Sequence, residues 1–511
     1  MTSAKRPGRQ RVPVDRKVFV FGIDSVDPDI LLRLAKEGRM PALRSVLDDG
    51  VWARTEDEPY MSESPWPNFF TAVNPARHGR YFHSQIVPGS YRTALFHPRD
   101  LKAPPYWCRL SEAGKRVVVV DVPKTHVTGP LNGIQIVDWG LHDQEIMDAP
   151  SSWPADLAGQ LDGRFGDDPV GANDFGGNGP RDFGAYREAC IANVERKTRL
   201  VTALMTSMDW DHFLVVFDDT HHVGHYAWHL HDLQHPDHDP ELRRGCGDPL
   251  ETVCLALDKA IAEILANLDP DCVFAILVSH GIGPNYHASY VLDMVLRRLE
   301  GARTGAGRTV NPLRSLWRSM PVSLNRLLVP IQNTARNMLL GRDRRARKAF
   351  TLPAADDTGS IRVNLAGREP NGLIRPGADF EGFCAELEQR LLDLRNIDTG
   401  EPVVDRVVHV RDMCVGPYVD HLPDLIVHWD RRAPIRGVTS PDVGELRMPA
   451  VNSRKGSHSP DGLILVRDGG ASAGPLPGHV RLMDIAPTVC TWMGMGLDDV
   501  DGRPIPGLGS I

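Results

Sequence analysis

Residues 17–29 read KVFVFGIDSVDPD, a short apolar run that ends at an acidic residue, Asp24. An uncharged run of this length is typical of a strand that is buried on both faces of a parallel sheet. Two later runs also lead into polar residues: FLVVF at 213–217 precedes DDTHHVGH, and VFAILV at 273–278 precedes SHG. Because ligands bind at the carboxyl ends of parallel strands, we expect these polar groups to meet at one sheet edge.

Helical patterns separate the apolar runs. Residues 28–49 predict a helix that Gly50 closes, and 250–268 predict another with apolar residues at helical spacing. RVVVVDV at 116–122 predicts a further buried strand, whereas the histidine-rich segment after 217 is expected to be a loop. This alternation predicts an α/β fold: a doubly wound, mostly parallel sheet with helices on both faces and a long insertion.

The insertion is marked by a change in composition. From 301 to 350, eleven Lys or Arg residues stand against one acid, Asp343, and two short amphipathic helices are predicted there. Such a basic segment is a solvated face, a lid for an anionic substrate or a contact surface. Residues 361–377 predict a strand and turns, 380–394 a helix and 423–429 a strand. The chain is therefore divided into a flexible tail (1–14), a core (15–300), an insertion (301–440) and a return to the core (441–511).

The overall composition narrows the class of protein. The chain has 511 residues, of which 41% are hydrophobic and 24% charged, and no apolar run approaches the roughly 18 residues that cross a bilayer. Its net charge of -8 gives no reason to expect nucleic acid as a partner. Eight scattered cysteines without a CxxC pair, and a start that resembles no secretory signal, predict a cytoplasmic protein.

The polar residues at the predicted sheet edge suit metal-assisted hydrolysis. A serine hydroxyl is a weak nucleophile, and a divalent metal, which lowers the pKa of bound water from about 16 to about 7, can activate it. A mixture of carboxylates and imidazoles suits zinc or manganese. Each residue alone also has a structural interpretation, with Asp24 as a helix cap and Ser62 or Ser64 as turn serines before Pro65.

Seven segments together carry a more specific signal. They are FGIDSVDPD (21–29), SESPWPNFFTAVNPARHG (62–79), THHVGHYAW (220–228), VSHGIG (278–283), NLAGREPNG (364–372), KGSHSPDGLIL (455–465) and DIAPTVCTWMG followed by DGRPI (484–505). In this order, the set resembles the type I phosphodiesterase and nucleotide pyrophosphatase branch of the alkaline phosphatase superfamily. The resemblance extends over nearly the whole chain.

The resemblance implies an alkaline phosphatase-like fold that hydrolyses phosphate esters, diesters rather than monoesters, with two divalent metals. Zinc is the expected metal and manganese the alternative. Ser62 would attack phosphorus in line and form a phosphoseryl intermediate that is then hydrolysed. Ser62 is preferred to Ser64 because it lies nine residues before Thr71, where the family places its nucleophile. The implied metal ligands form two sets: Asp24, Ser62 and His280 for one metal, and His221, His225 and His458 for the other.

Two carboxylates that the family usually supplies are missing. The family has an aspartate at the position of His221, and an Asp-His pair where this chain has Ser279 and His280. Fewer negative ligands leave a more positive centre, which changes the metal preferred, tightens binding of anions or abolishes one metal position. Candidates to replace the missing ligands lie beside the histidines, namely Asp218, Asp219 and His222.

Other functions on this fold stay open. A phosphonate hydrolase or a phosphoryl transferase could use the same nucleophile, whereas a sulfatase would need a CxPxR motif that the sequence lacks. Outside the enzymes, the alternative is a non-catalytic binding protein with a degenerate metal site, because fold does not fix function. The expected partner is a small-molecule phosphate ester, and both a monomer and a homo-oligomer are compatible with the sequence.

Overall fold

The computed structural model describes residues 16–508 except for seven gaps, at 58, 62, 141–149, 172–178, 302–340, 449–453 and 469–472. Three predictions therefore lie outside the described residues. They concern the tail at 1–14, the two amphipathic helices of the basic segment, and the placement of Ser62.

The described part of the chain contains twenty strands and fourteen α-helices. The strands are β1 (Val18–Ser25), β2 (Val51–Glu56), β3 (Ser84–Ile86), β4 (Thr93–Leu95), β5 (Val117–Val120), β6 (Gly133–Val137), β7 (Ser151–Trp153), β8 (His212–Phe217), β9 (Val273–Pro284), β10 (Ala349–Leu352), β11 (Thr358–Val363), β12 (Arg395–Asn396), β13 (Val404–His409), β14 (Leu425–Trp429), β15 (Gly437–Thr439), β16 (Leu446–Arg447), β17 (Gly456–Ser459), β18 (Gly462–Arg467), β19 (Gly474–Pro475) and β20 (Val480–Arg481). The helices are α1 (Pro28–Lys36), α2 (Pro41–Asp49), α3 (Pro65–Thr71), α4 (Pro75–His78), α5 (Tyr106–Glu112), α6 (Ala158–Phe165), α7 (Phe183–Ser207), α8 (Asp219–His231), α9 (Pro240–Cys246), α10 (Pro249–Ala266), α11 (Ser289–Leu299), α12 (Ala378–Leu392), α13 (Val410–Met413) and α14 (Ile485–Trp492).

The largest sheet runs in the order β19-β2-β18-β9-β1-β8-β5-β6-β7, with β17 joined to β9 and β20 to β2. Its centre is parallel, since β9, β1, β8, β5 and β6 pair in one direction. The outer strands β18 and β7 are antiparallel to their neighbours. The predicted α/β fold with a mostly parallel sheet is confirmed.

Strand β1 shows how the sheet is covered on both faces. Phe19 and Phe21 point into one apolar cluster with α7, α8 and α10, whereas Val18 and Val20 belong to a second cluster with α3, α5 and α14. A strand that is buried on both sides needs apolar residues at every position. This is why the run VFVFGI contains no polar side chain before Asp24.

The helix predicted at 28–49 is interrupted. Helix α1 ends at Lys36, and α2 begins at Pro41. Gly38 has a φ of +76°, a left-handed conformation that suits glycine and ends a helix. Pro41 lacks a backbone N–H and disfavours helical backbone at the preceding residue, so it starts a new helix here.

The loop predicted for DDTHHVGH is wrong, because these residues begin helix α8. Its apolar face consists of Val223, Ala227 and Leu230, which are fully buried in the core at helical spacing. Four of the first seven residues of α8 are histidines or aspartates, and they make the apolar face hard to recognise in the sequence. Tertiary packing of the apolar face decides the conformation.

A second region packs around its own apolar cluster, which includes Leu292 of α11, Leu387 of α12 and Val427 of β14. Its antiparallel sheet has the order β10-β11-β14-β13, and a smaller sheet has the order β12-β15-β16. The strand and helix predicted at 423–429 and 380–394 correspond to β14 and α12. The bounds 301–440 of the insertion stay a prediction. No helix among the described residues is long and apolar enough to cross a membrane.

A buried histidine of the main sheet gives a pH prediction. His212 on β8 is fully buried, with its Nε2 2.8 Å from the Tyr106 hydroxyl and its Nδ1 3.1 Å from the Val18 carbonyl. Burial lowers the pKa of His212 to about 4. Between pH 6.5 and 4, the unfolded chain binds a proton that the folded chain excludes. His212 therefore costs about 1.4 kcal/mol of stability for each pH unit lost in this window, and nothing above it.

Urea unfolding of the metal-free protein at pH 7, 6 and 5 measures this slope. We expect His212→Gln to have a shallower loss of stability below pH 6.5 than the unchanged protein, because glutamine does not titrate. Other histidines contribute equally to both proteins. Parallel pH profiles for the two proteins would contradict the assignment.

Candidate active site

Polar residues meet at the carboxyl ends of three neighbouring parallel strands. Strand β1 lies between β8 and β9, and Ser25 pairs with His280. Asp24 near the end of β1 is thus flanked by Asp218, which follows β8, and by His280 on β9. The sheet brings these residues together at the edge that the apolar runs predict.

Three imidazoles converge beside this edge. His221 and His225 lie one helical turn apart on α8, so they share a face, and His458 lies on β17. Nitrogen atoms of the three rings lie within 4.8 Å of one another. The Nε2 atoms of His221 and His458 are 3.3 Å apart, and Nε2 of His225 is buried without a hydrogen-bond partner. Tetrahedral zinc, with Zn–N bonds of about 2.0–2.1 Å, holds its nitrogens about 3.4 Å apart. The cluster therefore fits a divalent cation.

Two of these imidazoles are oriented through their second nitrogen. Oδ2 of Asp24 lies 2.5 Å from Nδ1 of His221, and the Gly456 carbonyl accepts a hydrogen bond from Nδ1 of His225 at 2.8 Å. An acceptor at Nδ1 fixes the tautomer and leaves the Nε2 lone pair available, as in most histidine metal ligands. Burial lowers the pKa of His225 well below its usual value, so this ring is neutral.

The third imidazole faces a carboxylate that the sequence did not point to. Asp357, in the turn between β10 and β11, has Oδ2 4.0 Å from Nδ1 of His458. Tyr60 donates a hydrogen bond to the same oxygen at 2.8 Å. Both residues are buried. The second region of the fold thus contributes a side chain to the histidine cluster.

Asp24 is buried and accepts hydrogen bonds on both oxygens, from Nε1 of Trp66 and from Nδ1 of His221. Burial by itself would raise the pKa of this carboxyl, but the neighbouring His221 and His280 lower it below its usual range. Asp24 is therefore ionised in the folded protein.

His280 is held by its neighbour in the sequence. The Ser279 hydroxyl donates to the Asp24 carbonyl at 2.7 Å and so accepts from Nδ1 of His280, which lies 2.8 Å away. Nε2 of His280 is consequently an unprotonated nitrogen, and it is buried without a hydrogen-bond partner. Burial lowers the pKa of His280 to about 4. The neutral Ser279 hydroxyl thus orients this ring.

The acids considered as replacement ligands face another partner. Nζ of the fully buried Lys197 lies 3.1 Å from Asp121 and 3.4 Å from Asp218. Asp218 also lies 2.9 Å from Nε2 of His222. Neither Asp218 nor His222 is among the possible metal ligands that group together here, which are His221, His225 and His458. Asp218 and His222 belong to a buried charge cluster beside the site.

Asp219 belongs to the same cluster. Its Oδ1 accepts a hydrogen bond from Asn193 at 3.0 Å, and its Oδ2 is buried without a hydrogen-bond partner. Burial, together with the charge of Asp218, raises the pKa of Asp219 to about 7. The charge of Lys197 opposes this shift. Asp219 is not among the possible ligands that group with the three imidazoles.

Ser64, the alternative nucleophile, is fully buried at the start of α3. Its hydroxyl lies 2.8 Å from Oδ2 of Asp57 and 2.8 Å from the Met61 carbonyl, so it can donate to either. Asn68 donates to the other oxygen of Asp57 at 2.5 Å. This network uses the Ser64 hydroxyl for local structure.

A group of charges next to Ser62 in the sequence was not predicted. Glu63 lies 2.5 Å from Arg80 and 2.7 Å from His83. Burial would raise the pKa of Glu63, but Lys124 and Arg80 lower it below its usual range. Lys124 also acts on His280, whose pKa it lowers. Lys124 has a φ of +61°, uncommon for a side-chain-bearing residue and frequent at functional sites. No sequence signal marks it.

Solved structures show the same fold. The alkaline phosphatase PafA is 13% identical, with a TM-score of 0.52 and coverage of 96% of this chain and 99% of PafA. Phosphonoacetate hydrolase from Sinorhizobium meliloti 1021, in complex with phosphonoformate, is 16% identical, with a TM-score of 0.51 and coverage of 92% and 94%. The fold is that of the alkaline phosphatase superfamily.

The family follows from the sequence. Residues 18–342, more than half of the chain, match the family described as type I phosphodiesterase / nucleotide pyrophosphatase, and the chain belongs to it. The resemblance inferred from the seven segments is confirmed. The protein is an enzyme that hydrolyses phosphoric esters. No curated protein sequence matches this chain.

Proposed function

We propose that this enzyme is a metal-dependent hydrolase of phosphate esters, with diesters as preferred substrates and Ser62 as nucleophile. The observation that carries the proposal is the convergence of His221, His225 and His458 beside the ionised Asp24. Three imidazoles next to a buried carboxylate form a ligand set that suits a divalent cation. Zinc is the expected metal because imidazoles suit it, and manganese is the alternative.

The metal, when bound, would stabilise negative charge on the phosphoryl oxygens and favour the alkoxide of Ser62. On the family pattern, a second metal would use Asp24, Ser62 and His280. The proposed chemistry has two steps. The Ser62 oxygen attacks phosphorus, the ester oxygen leaves, and water then attacks the phosphoserine and returns Ser62 with its proton.

Side chains around the metal ligands have supporting roles in this reaction. Asp24 holds the His221 ring through Nδ1, and Ser279 holds His280 through Nδ1. Lys124 is the cation whose charge acts on both Glu63 and His280. A cation near the site would stabilise negative charge on the phosphoryl oxygens of a bound substrate.

The proposed cellular compartment is the cytoplasm. All eight cysteines are free thiols, and seven of them are buried. Unpaired cysteines persist in reducing compartments, whereas secreted proteins of this kind more often carry disulfides.

Hydrolysis of three substrates tests the proposed function: bis(4-nitrophenyl) phosphate, 4-nitrophenyl phosphate and phosphonoacetate. We expect the diester to be turned over fastest, the rate to fall at least about 10³-fold after chelation, and added zinc to restore it. Preferential release of phosphate from phosphonoacetate would instead identify a phosphonate hydrolase. Transfer of the phosphoryl group to an added alcohol in preference to water would identify a transferase. A metal-loaded protein that is inert toward all three would be a binding protein.

A further inference from the structure

We infer that only one of the two metal positions of the family binds a metal tightly in this chain, namely the tri-histidine cluster of His221, His225 and His458. In this inference Asp24 is a hydrogen-bond partner of a metal ligand and not itself a ligand. The inference rests on the proposed function, since it concerns the metal content of the same site.

The first argument is the geometry of His221. Its Nδ1 lies 2.5 Å from Asp24, while its Nε2 lies 3.3 Å from Nε2 of His458. An ionised aspartate at position 221 has no hydrogen to donate to Asp24, so it could not connect the two sets of ligands in this way. The imidazole does, and it turns Asp24 into the outer member of a carboxylate–histidine–metal arrangement.

The second argument is that both oxygens of Asp24 already accept a hydrogen bond, which competes with a metal for this carboxylate. Its second oxygen accepts a hydrogen bond from Nε1 of Trp66, which is itself buried. The other carboxylate of this position is replaced by Ser279, whose hydroxyl is used by the Asp24 carbonyl and by His280. The ligands left for this second metal position are the Asp24 carboxylate, which is shared with His221, the His280 imidazole and the Ser62 hydroxyl. This set is weak for a hard or borderline dication.

The third argument comes from the described residues as a whole. Only two groups of three His, Cys, Asp or Glu side chains there bring possible ligand atoms close together, and neither places a third such side chain beside Asp24 and His280. The second group, of His231, Asp248 and Glu251, is already neutralised. Arg33 and Arg39 contact Glu251 at 2.5 and 2.6 Å, and Arg243 contacts Asp248 at 3.2 Å. The tri-histidine cluster is therefore the best-formed cation site in the described part of the chain.

Metal content tests the inference without reference to activity. The full-length protein is loaded with excess zinc, passed through a desalting column and assayed for metal by mass spectrometry. We expect about one equivalent for each chain. A titration with cobalt should give visible absorption bands that saturate at one equivalent. Two retained equivalents, or saturation at two, would overturn the inference.

Variants locate the bound metal. We expect His225→Ala and His458→Asn each to lose the retained equivalent, and His222→Ala, a matched change on the same helix, to keep it. Asp24→Asn should keep the equivalent with an affinity that is about 10- to 100-fold weaker, as for other partners of metal-bound histidines. Complete loss in Asp24→Asn or His280→Ala, with retention in His225→Ala, would place the metal elsewhere and overturn the inference. Circular dichroism controls for folding.

A gain-of-binding variant tests the cause. Restoring both family carboxylates, with His221→Asp and Ser279→Asp together, should raise the retained zinc from about one equivalent to about two. A double variant that stays at one equivalent would overturn the explanation from missing carboxylates. The inference and the proposed function fail separately. One equivalent without ester hydrolysis would reject only the function, and hydrolysis with two equivalents would reject only the inference.

Discussion

Replacement of Ser62 by alanine is expected to lower kcat/KM for bis(4-nitrophenyl) phosphate by about 10⁴-fold or more. Loss of the nucleophile removes the covalent route, and single nucleophile deletions in other hydrolases have effects of about 10⁶-fold. Steady-state assays of the zinc-loaded variant measure the effect. Its metal content should remain near that of the unchanged protein, because three imidazoles still hold the cation.

Ser64→Ala is the matched comparison. Ser64 donates within a buried network with Asp57 and the Met61 carbonyl, so we expect a loss of about 1–2 kcal/mol in stability and retained turnover. The reverse result, in which Ser64→Ala is inactive and Ser62→Ala turns over the diester, would move the nucleophile to Ser64.

Lys197→Met is expected to destabilise the protein by about 3–5 kcal/mol, because it leaves buried carboxylates without their cation. Nζ of Lys197 is fully buried, 3.1 Å from Asp121 and 3.4 Å from Asp218. Burial opposes its charge, yet these acids raise the pKa of Lys197 above its usual value. Urea unfolding of the variant and the unchanged protein measures the difference.

The control is an exposed ion pair on another helix. Arg44 contacts Asp48 at 2.7 Å, with both side chains about half exposed. Arg44→Met should change stability by less than about 1 kcal/mol, because water and salt screen such pairs. Similar effects at the two positions would show that the buried cluster is not held by its charges.

The sheet edge of the site could be predicted from the sequence because it depends on local patterns. Three apolar runs each end at polar residues. Because β8, β1 and β9 pair in parallel, the ends of these runs lie side by side at one edge of the sheet. Helix α8 could not be predicted in the same way. Its candidate ligand histidines share a helix with an apolar face of only a few residues, and packing against α10 decides its conformation.

Other parts of the site depend on long-range contacts without a sequence signature. Asp357 reaches His458 only because the second sheet packs beside the first. Lys124 lies in a loop after β5 with no motif around it. Likewise, the sequence does not show that Lys197 lies 3.4 Å from Asp218 and that its charge acts on Asp219. A buried acid that is close to a histidine in the sequence can therefore form its ion pair with a different residue in the fold.

The position of Asp357 has a consequence for how this scaffold can be altered. Since this carboxylate comes from the turn between β10 and β11, the four-stranded sheet supplies a side chain to the surroundings of the histidine cluster. Replacing this sheet by another module would remove the carboxylate that lies 4.0 Å from one imidazole, even if every histidine were kept. A change in the turn between β10 and β11 would therefore also change the surroundings of His458.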